Sequence, residues 1–123
     1  MKLYYAPRTR AGRVRWLLEE LGVPYELVRL DLAAKQHKAP EYLAVHPHGQ
    51  VPALVDGETT VFESAAICLY LADRFADKGL APKPGTKDRA LYYQWICYAV
   101  ASIERELVDI LAEARELPEA ERA

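Results

Sequence analysis

Three short groups of residues in this sequence are of the right types, at the right spacing, to do chemistry. The first is Gln50-Val51-Pro52. A proline at the head of a strand cannot donate to a ladder, but it can sit in a cis peptide. A cis bond there would turn the Val51 backbone groups outward, where an extended peptide-like ligand can pair with them as with a sheet edge. The second group is Glu63-Ser64, just ahead of a helical pattern. The free N–H groups and dipole of a helix N-terminus attract anions. A serine hydroxyl adds a donor and Glu63 can hold an ammonium group, so the pair suits the zwitterionic end of an amino acid. The third group is Gln36-His37-Lys38, where Lys38 can meet a carboxylate and His37 can add a hydrogen bond. Each group also has a plainer reading: a trans proline opening an edge strand, a simple helix cap, and ordinary polar loop residues. Spacing alone favours the plainer reading of each group.

The elements that must position these groups are legible in outline. Residues 2–5 read as a strand, followed by the loop Ala6-Pro7-Arg8-Thr9-Arg10. Val14, Leu17, Leu18 and Leu21 then form one apolar helical stripe. Gly22 and Pro24 supply a stop. Residues 25–32 alternate as a second strand, so the chain opens strand–helix–strand, which favours a parallel pair. Residues 33–49 are polar and loop-like, with one short helix expected over 41–45. Residues 51–55 read as a strand, Asp56-Gly57 as a hairpin turn, and 59–62 as the return strand. Ser64 is placed to cap a helix running to about residue 75, with Ile67, Tyr70, Leu71 and Phe75 on one side.

The order is β-α-β, a connection, then β-β-α: an α/β domain over residues 1–80. Residues 81–87 hold Pro82, Pro84 and Gly85 and read as a linker. A long helical pattern follows over 88–117, with Leu91, Trp95, Tyr98, Ser102, Leu107, Ile110, Leu111 and Ala114 on one face. That face needs a partner, and the charged tail 118–123 cannot supply one, so a homodimer is expected.

Composition narrows the function classes. The chain has 123 residues, 51% hydrophobic and 28% charged, with a net charge of −2. That charge favours neither nucleic acid nor an anionic membrane, and no apolar run approaches a membrane span. The first residues go straight into a strand pattern with no signal-peptide character, so a cytoplasmic location is expected. Cys68 and Cys97 lie far apart, without a CxxC pair, and read as small core residues. Arg8, Arg10, Arg13 and Arg15 cluster locally; Arg13 and Arg15 read as a solvated helix face.

The run His37-Lys38-Ala39-Pro40-Glu41-Tyr42-Leu43, then Pro47-His48-Gly49-Gln50-Val51-Pro52-Ala53-Leu54, then Asp56-Gly57, then Phe62-Glu63-Ser64-Ala65-Ala66-Ile67 resembles the N-terminal domain of cytosolic glutathione transferases. The likeness is greatest to the plant phi class and its bacterial relatives. It implies a thioredoxin-like fold with a mixed four-stranded sheet, followed by the first helix of an all-helical C-terminal domain that is here truncated. It implies reduced glutathione as substrate, a small electrophile as acceptor, and no metal. By resemblance Val51 pairs with the cysteinyl part of glutathione across a cis bond to Pro52. Glu63 and Ser64 hold the γ-glutamyl end, and His37, Lys38 and Gln50 serve the glycine carboxylate.

The group that activates the thiol is the point of departure from the family. Counted from the N-terminus, Thr9 falls where the phi-type serine stands; counted back from Glu19-Glu20, the corresponding position is nearer Ala11. Thr9 is the expected hydrogen-bond donor and Arg10 its electrostatic helper, with Tyr5 or the backbone amides near Ala11 as alternatives. The function implied is glutathione transfer. A non-catalytic association module and a glutathione-dependent disulfide reductase are the alternatives.

Overall fold

A computed structural model describes residues 1–116, with side chains through residue 110; the tail expected over 118–123 lies outside them. The chain divides into two compact units, the first Met1–Ala81 and the second beginning at Pro82.

The first unit contains β1 (Lys2–Tyr5), α1 (Ala11–Leu21), β2 (Glu26–Arg29), α2 (Pro40–Leu43), β3 (Ala53–Asp56), β4 (Thr59–Phe62) and α3 (Ser64–Arg74). The strands form one mixed sheet in the order β2-β1-β3-β4. β1 and β2 are parallel, because α1 carries the chain back to the same edge. β3 runs antiparallel to β1 and β4, because the Asp56–Thr59 turn is a tight hairpin.

Alternation along the strands sorts side chains to the two faces. Leu3 and Leu54 join Val14, Leu18 and Leu21 of α1 and Ile67 and Leu71 of α3 in a fully buried cluster. Each such side chain contributes about 1.5–3 kcal/mol on burial. Ala53 meets Leu30 and Tyr42 in a second cluster that also takes in Tyr4, so α2 packs on the opposite face. At the far end of α3, Asp56 accepts from the Tyr70 hydroxyl at 2.8 Å and pairs with Arg74 at 2.8 Å. These bonds tie the hairpin to the helix.

Several local expectations need correcting. The second strand covers only Glu26–Arg29, not 25–32. Asp31 leaves the ladder because its carboxylate accepts from the Ala33 and Ala34 amides, a turn that competes with a strand. The short helix occupies Pro40–Leu43, one residue earlier than expected, because proline is preorganised for a first helical position. The third strand begins at Ala53, beyond Pro52.

In the second unit, Thr86 caps α4 (Lys87–Tyr98) by accepting from the Arg89 amide at 3.2 Å. Arg89 donates to the Pro82 carbonyl and lies over the Tyr92 and Tyr93 rings. The long helix begins as expected but contains a π-helical turn over Ala99–Ile103 before continuing as α5 (Glu104–Glu116). The wide turn rotates the apolar stripe. Leu91, Trp95, Tyr98, Leu107 and Ile110 are exposed; the Leu111 and Ala114 side chains and the expected helix end at 117 lie outside the described residues. Cys97 is also exposed rather than buried in a core. Cys68 is partly buried beside the first cluster, and burial pushes its thiol upward despite the nearby Arg13 charge.

Candidate functional site

The loop from His46 to Pro52 is held from both sides. Tyr42 donates its hydroxyl proton to the Gln50 carbonyl, while its ring packs, tilted, against that of Tyr4 with centroids 5.3 Å apart. Burial pushes the Tyr42 phenol well above its ordinary range, so it stays a donor. Lys38 Nζ donates to the His48 carbonyl at 2.8 Å. Gly49 has φ +55°, and a Cβ there would lie 2.3 Å from the His37 carbonyl oxygen. The loop therefore rests directly on the His37-Lys38 turn. The Val51–Pro52 peptide is cis. Among the described residues, no backbone hydrogen bond engages Val51.

The start of α3 faces the same loop. Ser64 is the first helical residue and Glu63 the capping position, without a side-chain cap; this corrects the expectation that Ser64 caps the helix. Glu63 adopts φ +71°, a conformation that costs a non-glycine residue about 1–3 kcal/mol. The first amide bonded back along the helix is that of Ile67, to the Glu63 carbonyl at 2.9 Å. The earlier amides are the orphan donors that every helix start leaves. Arg13 Nη1 donates to Ser64 Oγ at 3.3 Å. Arg13 thus belongs to the site and not to a solvated face, whereas Arg15 stays exposed beside Glu19. Because Ser64 Oγ accepts from Arg13, its own proton is left to donate elsewhere.

Arg10, His46, Gln50, Val51, Pro52, Glu63 and Ser64 line one recess of about 40 Å³. Six of these seven were expected from sequence. His37 and Lys38 do not line it; they flank the loop from behind. Thr9 sits at the start of α1, where its hydroxyl donates to the Ala6 carbonyl at 2.7 Å and accepts from the Ala11 amide at 3.3 Å. The Gly12 amide is bonded to the Thr9 carbonyl. Tyr5 packs against the first core cluster.

His46 is the residue that sequence reasoning missed. It is 2% exposed, its ring lies 4.6 Å from that of Phe62, and its Nδ1 accepts from the His48 amide at 3.3 Å. The only available signal was its place two residues before His48 in a loop that must close. Burial, then the neighbouring His48, lower its pKa, with Glu63 opposing. A histidine depressed in the fold binds a proton more readily when unfolded. Its contribution is therefore complete above the unfolded value of about 6.5 and is lost as pH falls toward the depressed folded value. Thermal unfolding of the protein is expected to show a midpoint that drops on acidification below about pH 6.5, before ordinary carboxylates titrate. His46→Gln is expected to flatten that segment, and an unchanged profile would refute the assignment.

Among the described residues, no group of three or more His, Cys, Asp or Glu side chains is placed to hold a metal ion. No described helix is long and apolar enough to cross a membrane.

A model of the family "Glutathione S-transferase, N-terminal domain" matches residues 1–73. The chain is 41% identical to glutathione S-transferase 3 of Zea mays over 97 residues, covering 78% of this chain and 44% of that protein. It is 35% identical over 108 residues to the disulfide-bond oxidoreductase YfcG of Escherichia coli (strain K12), covering 82% and 49%. Among solved structures, a sphingomonad glutathione S-transferase complexed with glutathione superposes with a TM-score of 0.79 at 31% identity, covering 97% of this chain and 58% of that one. The chain thus spans about half the length of these curated relatives.

Proposed function

The chain belongs to the glutathione S-transferase family through its N-terminal domain, and from that premise we propose that its first unit binds reduced glutathione and presents the thiolate to small electrophiles. The observation that carries the proposal is the convergence of Arg10, Val51-Pro52, Glu63 and Ser64 on one recess. A recess of about 40 Å³ suits an amino-acid head group, with the rest of the tripeptide lying along the Val51 edge. The γ-glutamyl carboxylate sits at the α3 N-terminus and takes the Ser64 proton that Arg13 leaves free. Glu63 takes the ammonium group. The cysteinyl amide pairs with the Val51 backbone as a short added strand. The glycine carboxylate reaches toward Gln50, Lys38 and His37. Lys38 uses one N–H on His48 and keeps two.

Thiol activation asks for a defined amount of work. A free thiol titrates near 8.5, and lowering it by about two units takes about 2.7 kcal/mol. The Thr9 hydroxyl supplies part of this by rotating from the Ala6 carbonyl toward sulfur, and Arg10, on the wall of the recess, supplies charge. The thiol proton leaves to solvent, sulfur bonds to the electrophilic carbon, and the leaving group departs with its electron pair. The reading includes a cytoplasmic homodimer in which the second unit is the start of a helical domain, supported by the exposed Leu91, Trp95 and Leu107.

Titration calorimetry of the full chain with reduced glutathione is expected to give saturable heat, and turnover is expected with a chloronitroaromatic acceptor. Absence of heat would sink the proposal; binding without turnover would favour a non-catalytic association module. The Thr9–Ala6 bond competes with thiol activation, and one relative is named a disulfide-bond oxidoreductase, so a glutathione-dependent disulfide reductase is the second reading. Reduction of a small disulfide by glutathione without conjugation would favour it.

A further inference from the structure

A second, larger cleft of about 380 Å³ lies at the C-terminal ends of the parallel strands β1 and β2. Its walls are residues 6–8 of the β1–α1 loop, Arg29 at the end of β2, residues 30–32 beyond it, and Gln36. Its volume is in the range of small-molecule sites. Pro7, Leu30 and Leu32 are apolar residues of its lining, and Arg8 and Arg29 are its two cationic ones. Among the described residues neither arginine has an ion pair or a hydrogen bond. The one carboxylate on the wall, Asp31, is occupied by the Ala33 and Ala34 amides at 2.9 and 3.0 Å. Gln36 commits its carbonyl oxygen to the Asp31 amide and keeps its N–H donors.

Arg8 is held at φ +58°, in the left-handed region that glycine occupies at no cost. A bulky residue kept there at a loss of stability points to a role for its side chain. The same loop places Arg10 on the glutathione recess and Arg8 on this cleft, so the two cavities lie on either side of one turn.

We infer that this cleft is a carboxylate subsite: it holds a small organic acid, with its apolar body against Pro7, Leu30 and Leu32 and its carboxylate between Arg8 and Arg29. Its role as the seat of the acceptor, which selects electrophiles that carry a carboxylate, rests on the glutathione reading; the anion site itself does not.

The test compares 4-chloro-3-nitrobenzoate with its uncharged amide by calorimetry on the full chain, without glutathione. The carboxylate is expected to bind roughly tenfold more tightly, the scale of a charge-assisted pair at an accessible site. Arg8→Gln and Arg29→Gln are each expected to remove most of that ratio and to leave glutathione affinity unchanged. Arg8→Gly is expected to raise the melting temperature while losing the ratio, an outcome that a purely structural arginine would not produce. A ratio near one in the unaltered protein, a ratio unchanged in both glutamine variants, or displacement of the probe by S-methylglutathione would overturn the inference. Absence of heat with glutathione alongside an intact ratio would remove only the acceptor role.

Discussion

Replacing Gly49 with alanine is expected to destabilise the first unit by roughly 2–5 kcal/mol, through a left-handed penalty of about 1–2 kcal/mol and an overpacking cost of about 1–3 kcal/mol. The Cβ would meet the His37 carbonyl at 2.3 Å and the Leu43 and Lys38 side chains at 3.0 Å. The first contact is with backbone, so side-chain rotation cannot relieve it. Either the His37-Lys38 turn or the Gln50-Val51 segment must move, and both carry proposed glutathione contacts. Against a typical total of about 5–15 kcal/mol, the loss is large. Urea unfolding monitored by circular dichroism measures it. Gly57 is the control: it has a similar φ of +60°, but a Cβ there would meet nothing within 4 Å, so Gly57→Ala is expected to cost only the backbone penalty. Equal midpoints for the two variants would refute the packing account.

Replacing Glu63 is expected to have the largest effect on binding. Loss of its carboxylate removes the one acidic side chain on the recess that can pair with the ligand's ammonium group. A charge-assisted hydrogen bond is worth about 1.5–3 kcal/mol, or roughly 10- to 100-fold in affinity. Glu63 is exposed, so Glu63→Gln is expected near the lower end of that range. Glu63→Gly separates function from architecture. It relieves the φ of +71° and is expected to raise stability by up to about 1 kcal/mol, while glutathione affinity falls. A variant that is both more stable and fully competent in calorimetry would show that the strained glutamate has no part in binding. Strain retained at a proposed binding residue is a common trade between stability and activity.

The two variants probe different parts of one device. Gly49 sets where the loop lies, and Glu63 supplies charge once it lies there. Arg13 links the two helices that frame the recess: it reaches from α1 to Ser64 at the start of α3. Its charge close to the serine also favours an anion at that helix end.

Much of this architecture was legible in the sequence because it is encoded locally. The stripe Val14, Leu18 and Leu21 declares α1, and Gly22, in the left-handed conformation, ends it. Asp56-Gly57 declares the hairpin that makes β3 and β4 antiparallel. Gln50-Val51-Pro52 and Glu63-Ser64 stand out as candidate binding groups because each is contiguous, and it is the family resemblance, not their spacing, that favours a binding reading over a plain strand start or helix cap. What the sequence could not determine depends on groups meeting across the fold. Arg13 looked like a solvated helix residue because its partner lies 51 residues away. His46 looked like a loop residue until Phe62 closed over it. Arg8 and Arg29 share a cleft only because β1 and β2 lie side by side. Spacing of three or four residues specifies helices, and alternation specifies strands. Which side chains then share a cavity is set by sheet order and helix packing, and those exist only once the chain has folded.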